Sequence, residues 1–585
     1  MLYLVIILLF LFDPIYSQSS KNPNENDLEL KFNKFNITWN WQNYFDYQYS
    51  NEKYGFYLED TYNSNLISPS KDIKNWRDEN KFDGFFYRKL TNIELGIYTN
   101  SWIFSDRQTR SNVLFGNHNL GFKTKYTPVS KFTISPYTGY QHDQNKSNND
   151  SGWDVGLESE YDSFALDDYR GSFEGELDYD LYPNRQNSKQ GVQLNFETKF
   201  SPVTTDSIKT YYKNSDKLYY SPNGDQLLNV KLEEKYLHNY FEYRYSSVSL
   251  LTLQTILSSK NLYDESRSNT NRDELKIENR LGINYILSDL ILNFGFDTFQ
   301  ETLDNTGLNT DSDALQSNIK LSALYNISPN DIINLKFNLT KYQYDTPDST
   351  LNNDDRDELR IIGGIEYNRS FSPVLNFGIE AYINFFHQIY IFKERSANNN
   401  WNRIFRLSSF IEYSDNNFNN TLKNEILANY TVYDFEDLYS QSPSYIFRKY
   451  ILEDSMSYKI LPRLITGFKG KYEFEDKGSF FKSKFAQQIL QSTESIYVDV
   501  FLRFKNIYLL DFDSGIAFYN RNDWRHVPIK SLIRDVNTYT PYLRMRYNLN
   551  KKLIFVTSAS YVFSDEINIG KSTYTTASLS LLHNF

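Results

Sequence analysis

The sequence contains no cysteine and few long apolar runs, and these two absences exclude several classes of protein. Without cysteine there is no disulfide framework, no thiolate metal site and no cysteine nucleophile. Mean hydropathy is −0.60, and only the extreme N-terminus has an apolar run approaching the length of a membrane-spanning helix. A polytopic helical membrane protein is therefore excluded.

Positive charge is also scarce relative to negative charge. The 585 residues include 62 Lys and Arg against 73 Asp and Glu, which gives a formal net charge of −11 at pH 7. An acidic chain without a basic stripe binds nucleic acid poorly. In contrast, the 49 Tyr, 44 Phe and 7 Trp residues are far too many aromatic residues for a disordered chain.

The N-terminus has the pattern of a secretory signal peptide. Residues 2–12 are apolar, Asp13-Pro14 interrupts the run, and Ser17 is a small residue suited to the position before a cleavage site. No Lys or Arg precedes the apolar run, so an N-terminal strand or buried helix is the alternative interpretation. We predict a signal peptide over residues 1–17.

From about residue 30 to the end, apolar and polar residues alternate within segments of about ten to fourteen residues. Between Ile333 and Thr340 the odd positions are apolar and the even positions are polar or charged. A period of two places these two sets on opposite faces of a strand. No segment of comparable strength has a helical period, so the pattern predicts an all-β protein.

The connections between these segments alternate in length. Thirteen short turns, five of which contain proline, alternate with mostly longer loops rich in Asn, Asp and Ser, such as residues 520–536. This organisation is typical of a transmembrane β-barrel. The turns and a final strand from Ser572 give twenty-seven strands, but single-chain bacterial barrels have even counts, so either one hairpin is miscounted or another strand lies in residues 28–35. We predict a single large antiparallel transmembrane β-barrel of about 26 strands, within a range of roughly 24–28.

Tyrosine recurs just before the short turns. At a common depth such tyrosines would form an aromatic girdle at one membrane interface. The alternative is that tyrosine is simply a common strand residue in a tyrosine-rich chain. The candidates for the girdle are Tyr126, Tyr161, Tyr285, Tyr325, Tyr367, Tyr413, Tyr458 and Tyr547.

The C-terminal segment resembles the terminal strand of Gram-negative outer-membrane β-barrel proteins, which ends in an aromatic residue preceded by apolar residues at alternate positions. Leu579, Leu581 and Phe585 match this pattern, whereas His583 departs from it. The resemblance implies an outer-membrane location, contact with outer-membrane lipid, and a strand that acts as the signal for the barrel-assembly machinery. Residues 18–30 would then be a short periplasmic segment, and residues 31–585 the barrel.

If apolar residues face lipid, the alternate charged residues face the lumen. The parity predicts an acidic wall in the early strands and a basic wall near the C-terminus, which closure of the barrel would set against each other as a transverse field or a salt-bridged filling. Such walls either select solutes, as charged constrictions do, or are simply the solvated lining of a water-filled barrel. The candidates are Asp154, Glu158, Glu160, Arg170, Glu174, Glu176, Asp178, Asp180, Lys276, Glu278, Arg280, Arg403, Arg406, Arg503, Lys505, Arg544 and Arg546.

Motifs for catalysis and cofactor binding are missing from the sequence. The six histidines have no metal-binding spacing, and we find no phosphate loop, dinucleotide glycine pattern or GxSxG motif. The polar loops that begin at Asp304 and Asp345 are rich in oxygen ligands but do not fit the EF-hand pattern. We therefore predict no enzymatic activity, no cofactor and no metal site.

The function predicted from these patterns is a porin-like pore, channel or conduit for polar solutes or an exported polymer. No loop is long enough to be an obvious plug, so we expect a periplasmic protein or lipoprotein partner to fill so wide a lumen. A TonB-dependent transporter is disfavoured, because only about a dozen residues separate Gln18 from the first strand-like segment, too few for a plug domain.

Two alternatives remain at this point. One is a surface-binding or structural outer-membrane protein whose lumen is filled. The other is a soluble secreted β protein such as a propeller, which is disfavoured because the sequence lacks internal repeats.

Overall fold

A computed structural model describes residues 26–69, 73–108, 112–145, 148–220, 226–265, 270–306, 310–347, 354–436, 444–549, 552–567 and 569–584. The predicted signal peptide and Phe585 lie outside these residues. Among the described residues, no helix is long and apolar enough to cross a membrane.

Twenty-eight strands follow one another along the chain. The first fourteen are β1 (Asn26–Phe35), β2 (Thr38–Ser50), β3 (Tyr54–Ile67), β4 (Asn75–Leu90), β5 (Ile93–Arg107), β6 (Asn112–Val129), β7 (Phe132–Asn145), β8 (Asn148–Leu166), β9 (Tyr169–Leu181), β10 (Gln186–Ser201), β11 (Thr204–Tyr220), β12 (Leu227–Ser246), β13 (Ser249–Asp264) and β14 (Thr270–Ile286). The remainder are β15 (Leu290–Thr306), β16 (Ser312–Ser328), β17 (Asp331–Asp345), β18 (Arg356–Ser372), β19 (Leu375–Tyr390), β20 (Asn400–Ser414), β21 (Phe418–Tyr433), β22 (Tyr445–Leu461), β23 (Leu464–Phe481), β24 (Ala486–Ile507), β25 (Leu510–Arg525), β26 (Ser531–Asn548), β27 (Leu553–Glu566) and β28 (Gly570–Asn584).

The sheet closes on itself. Each strand pairs antiparallel with the next, and β1 pairs with β28 from Asp27 opposite Asn584 to Phe35 opposite Thr576. A closed sheet has no unpaired edge, which is the condition for spanning lipid with strands. The predicted single antiparallel barrel is confirmed.

The strand number is 28 rather than about 26, and one of the additional strands lies at the N-terminus. Residues 28–35 belong to β1, which pairs with β2 on one side and with β28 on the other. Its apolar positions Leu28, Leu30 and Phe32 alternate with polar ones, as in the longer strands. This strand begins at Asn26, before the predicted barrel boundary at residue 31, because Asp27 to Leu30 already pair on both sides.

The short turns lie together at one end of the barrel. Each of the thirteen predicted turns follows an even-numbered strand; residues 202–203, for example, follow β10, and residues 329–330 follow β16. At the other end several loops are shorter than predicted, because the strands extend into them. Between β25 and β26, for example, only residues 526–530 are outside strands, whereas the sequence predicted a loop over residues 520–536.

The ladder register divides the side chains into two faces, because residues directly opposite each other in neighbouring strands share a face. We call one set the apolar face; it contains Leu30, Phe32 and the residues opposite them in β28, Leu581 and Leu579. The alternate set, which contains Ser580, is the polar face. Followed strand by strand around the barrel, the register returns to the same division at β1.

Candidate functional site: the polar face

The register gathers most of the predicted charged candidates on the polar face. The residues it places there are Asp154, Glu158, Glu160, Arg170, Glu174, Glu176, Asp178, Asp180, Lys276, Glu278, Arg280, Arg406, Arg503, Arg544 and Arg546. Parity along each strand was therefore sufficient to identify this face for the longer runs.

The register does not place two of the predicted candidates on the polar face. Arg403 is opposite Phe385 on the apolar face, and its guanidinium lies 5.3 Å from the centroid of the Trp401 ring. Arg403 and Arg406 are three positions apart, an odd interval that puts them on opposite faces of a regular strand, so the prediction for Arg403 is wrong. Lys505 has no partner in the ladder, because the register of β24 and β25 shifts between Phe504 and Ile507.

The predicted basic wall near the C-terminus is instead an alternation of both charges. Arg503 donates from Nε to Oδ1 of Asp513 at 2.8 Å. On the other side of β25, Asp513 is opposite Arg544, and Asp511 is opposite Arg546. Parity within single strands showed the arginines but not the aspartates that the register sets against them.

Three further basic candidates are also paired with carboxylates. Nη2 of Arg406 donates to both carboxylate oxygens of Glu380 at 2.9 Å. Lys276 Nζ lies 3.3 Å from Glu301 Oε1, and Arg280 Nη2 donates to Glu278 Oε2 at 2.8 Å. Salt bridges of this kind neutralise much of the polar face.

Strands β8 and β9 differ from these regions, because three pairs of carboxylates stand directly opposite each other there. Like charges directly opposite each other destabilise the pairing of two strands. Lys123 and Lys189 each contact one carboxylate of this wall, Glu158 and Glu176 respectively. The opposed pairs are Asp154 with Asp180, Glu158 with Glu176, and Glu160 with Glu174.

Three aspartates of this wall converge at one point. One carboxylate oxygen each from Asp154, Asp178 and Asp180 lie within 4.8 Å of one another. Within the described part of the chain, no Lys or Arg forms an ion pair with any of the three. We call these residues the aspartate cluster; no spacing motif in the sequence indicated it, since the register of two strands creates it.

Tyrosines from other strands reach this cluster. Tyr98 on β5 donates from Oη to Asp154 Oδ2 at 2.9 Å, and the Asn119 amide on β6 donates to the same oxygen. Tyr137 on β7 donates to Asp178 Oδ1 at 2.9 Å. Tyr98 reaches Asp154 across two intervening strands because Gly121 and Gly139 lie between them in the ladder and leave room for the ring.

Glycines make room for both of these tyrosines. A Cβ atom at Gly139 would lie 2.6 Å from Tyr98 Oη, and one at Gly156 would lie 2.2 Å from Tyr137 Cζ. Any larger residue at either position would push the tyrosine off the wall. Glycines on the polar face opposite or beside tyrosines are the sequence signal that could have revealed this arrangement.

A buried arginine lies beyond the cluster, in the turn between β9 and β10. The Arg185 side chain is 5% exposed; its Nε donates to Asp150 Oδ2 at 2.7 Å, and Nη2 pairs with Asp143. The guanidinium also lies 4.0 Å from the centroid of the Tyr182 ring. Burial alone would lower the pKa of Arg185, but the two carboxylates outweigh burial and raise it. Sequence analysis missed Arg185 because it belongs to no alternating segment.

The eight tyrosines predicted for the girdle all fall on the apolar face. Tyr325, for example, lies three residues before the end of β16. It is opposite Leu290, the first residue of β15, and Ile333, the third residue of β17. Tyr458 is opposite Phe418 in the same position of another hairpin. A common face and a common distance from the short turns are what a girdle requires, although membrane depth itself stays a prediction.

The terminal strand places its matching residues on the same face. Leu579 and Leu581 are opposite Phe32 and Leu30 of β1, and His583 is opposite Leu28. The apolar positions of the predicted assembly signal therefore lie at the line where the barrel closes. Their recognition by the assembly machinery stays a prediction.

Comparisons with known proteins show likeness to other large barrels only. No protein-family model and no curated protein matches the chain. The crystal structure of the siderophore receptor PirA from Pseudomonas aeruginosa matches with a TM-score of 0.36 and 8% identity, over 78% of this chain and 81% of that chain. The copper transporter OprC matches with a TM-score of 0.40 and 11% identity, over 92% and 84%.

A third structure, the FrpB iron transporter from Neisseria meningitidis, matches with a TM-score of 0.40 and 7% identity, over 74% of this chain and 80% of that chain. Scores and identities of this size establish neither a common family nor a common cargo. The assignment of fold rests on the closed sheet of this chain itself. The architecture is a single closed antiparallel β-barrel of 28 described strands.

Proposed function

We propose that this chain is exported by its signal peptide to a Gram-negative outer membrane, where its barrel is a passage for polar solutes or an exported polymer. The observation that carries the proposal is the division of a closed sheet into one apolar and one charged face. In a barrel one face must point outward and the other inward. We assign the polar face to the lumen.

The apolar face supports a lipid environment. Large apolar side chains are freely exposed on it, with Phe122 62% and Leu120 61% exposed. Soluble proteins rarely expose contiguous apolar patches larger than a few hundred Å², and this face surrounds the whole barrel. Bilayer lipid would cover it, with the eight tyrosines as the girdle at the interface near the short turns, which in such barrels is the periplasmic one.

The width of the barrel supports a passage. Strands about 4.8 Å apart and tilted by about 40° give twenty-eight strands a circular diameter of roughly 55 Å. The described connections are too short to fill such a space; that between β19 and β20, for example, spans only residues 391–399. We therefore also propose that a periplasmic protein or lipoprotein occupies the lumen in the cell.

Conductance in planar bilayers tests both parts of this proposal. Barrel refolded from inclusion bodies, which carries no partner, should give stepwise currents of nanosiemens size. Barrel extracted from native membranes should conduct less and should copurify with a stoichiometric protein. A refolded, heat-modifiable barrel that inserts without conducting would overturn the passage and favour the surface-binding alternative. Native barrel that conducts fully and carries no protein would overturn the partner.

The acidic wall gives the passage a charge preference that can be measured. Replacing Glu158, Glu160 and Glu174 with glutamine should reduce the preference for cations, read as the reversal potential in a salt gradient. The effect should be visible at about 10 mM salt, where the Debye length is about 30 Å, and absent at about 1 M, where it is about 3 Å. This contrast follows because the lumen is much wider than the screening distance at high salt.

A matched control removes three negative charges from the short turns. The triple variant Glu52→Gln, Asp289→Asn and Asp415→Asn changes the net charge equally but leaves the wall intact. It should shift the reversal potential less than the wall variant does. An equal shift from both variants would contradict the assignment of β8 and β9 to the lumen wall.

A further inference from the structure

We propose that the aspartate cluster, Asp154, Asp178 and Asp180, binds a hard divalent cation of the calcium class. The site lies on the polar face of β8 and β9. The proposal depends only on the geometry of these strands and their neighbours, so it holds whether the barrel conducts or is filled.

The spacing of the three carboxylates fits one coordination sphere. Calcium takes oxygen ligands at about 2.3–2.6 Å, so ligands on opposite sides of the ion lie about 4.6–5.2 Å apart. The three ligand atoms lie within 4.8 Å of one another, which allows all of them to contact one calcium ion without movement of the backbone. An all-oxygen set of this kind favours calcium over zinc or copper.

Among the residues that the structure describes, no Lys or Arg forms an ion pair with the cluster. The two nearby basic side chains have other partners: Lys189 pairs with Glu176, and Arg185 pairs with Asp143 and Asp150. Three carboxylates held within 4.8 Å repel one another strongly where water is excluded. A divalent cation would offset most of that repulsion.

Unpartnered buried polar atoms point to the same ligand. Gln141 is 3% exposed, and its amide lies beside the Asp180 carboxylate with Nε2 outside good hydrogen-bond geometry. Asp154 is 5% exposed, and its Oδ1 also has no partner. Buried polar groups without partners are uncommon in native proteins. A cation would bind Asp154 Oδ1, and a half-turn of the Gln141 amide would offer its carbonyl oxygen as a further ligand.

Neighbouring side chains orient each carboxylate of the cluster by hydrogen bonds to one of its two oxygens. Tyr98 and Asn119 bind Oδ2 of Asp154, Tyr137 binds Oδ1 of Asp178, and Asn187 Nδ2 donates to Oδ2 of Asp180 at 3.2 Å. Each aspartate keeps a second oxygen for the ion. Hydrogen bonds that orient ligands in this way are a regular feature of metal sites.

Calcium binding to the purified, folded barrel in detergent tests the proposal. After treatment with EGTA, calorimetry at pH 7.5 should show one saturable calcium site per chain. Terbium should bind the same site and emit on excitation of tyrosine, since Tyr98 and Tyr137 contact its ligands, and calcium should displace it. The double variant Asp154→Asn and Asp178→Asn should weaken binding by about a hundredfold or more.

Two further variants separate a local site from diffuse charge. The pair Glu160→Gln and Glu174→Gln removes two charges from the same strands and the same face, and it should change affinity by less than about threefold. Gln141→Met removes one candidate ligand without changing charge, and it should weaken binding by about tenfold. Heat modifiability confirms that each variant is folded.

Three results would overturn the site. The first is folded wild-type barrel that shows no saturable calcium binding at pH 7.5 or 9, which would mean that shared protons alone neutralise the cluster. The second is equal weakening by the aspartate and glutamate double variants, which would mean diffuse attraction. The third is unchanged affinity in the aspartate variant.

Discussion

The polar face has two regions with the same alternating sequence pattern and opposite electrostatics. In β24 to β26, Arg503 and Arg544 flank Asp513 from both sides. In β8 and β9, Asp154 faces Asp180 and other carboxylates face carboxylates. The pattern within a strand determines which face is charged, whereas the register between strands determines whether the charges are paired. A region where the register sets like charges together requires another source of positive charge.

The largest effect expected from this difference is at Arg185, the buried arginine beside the acidic region. Arg185→Met should lower the free energy of unfolding by about 3–5 kcal/mol, because it leaves Asp150 buried and uncompensated. Urea titration of the barrel in lipid vesicles measures this. Adding Asp143→Asn and Asp150→Asn to Arg185→Met should recover most of the loss. A loss below about 1 kcal/mol would show that Asp150 is not desolvated.

A pair of aspartate variants should have effects of opposite sign. In calcium-free buffer of low salt, Asp178→Asn should raise the free energy of unfolding by about 1 kcal/mol, because it relieves repulsion within the cluster. Asp513→Asn should lower it by about the same amount, because Arg503 and Arg544 lose their acidic neighbour. The same urea titrations measure both, and changes of the same sign would contradict the comparison.

Calcium should sharpen this contrast. In saturating calcium, Asp178→Asn should become destabilising, since the variant loses a ligand that the wild-type barrel uses. Asp513→Asn should respond to calcium no more than the wild type does. The difference between the two conditions is therefore a measure of the cation site that is independent of calorimetry.

The smallest effect is expected where an ion pair is solvated. Arg280 and Glu278 lie two residues apart in β14, and the arginine side chain is 51% exposed. Arg280→Gln should change the free energy of unfolding by less than about 0.5 kcal/mol. A change above about 1 kcal/mol would show that this part of the polar face is less hydrated than its exposure indicates.

Much of the barrel could be predicted from the sequence because each strand is specified by a local sequence pattern. A period of two and a turn signal are properties of about fifteen consecutive residues, so the hairpins and their short turns were found. Tyr325 and Tyr458 were assigned to one face for the same reason. The even strand count left residues 28–35 as one of two explanations for the odd total, and β1 lies there, which makes the number 28 rather than about 26.

The rest depends on contacts between strands that no local pattern contains. Tyr98 and Asp154 are 56 residues apart, and only the register of four strands brings them together. Arg185 occupies a turn, where alternation provides no information. Arg403 was assigned to the wrong face because two arginines were treated as a pair without counting the interval between them.

The pairing of β1 with β28 has a consequence for the order of events when the protein is made. Of the described strands, β1 is synthesised first and β28 last, so residues 576–584 must find residues 27–35 over a separation of more than 500 residues. Until that happens, every partly assembled sheet has two open edges that can pair with other chains. Closure over so large a sequence separation is intrinsically slow. The lifetime of the open sheet, rather than the stability of any hairpin, therefore sets how long this chain needs protection from aggregation.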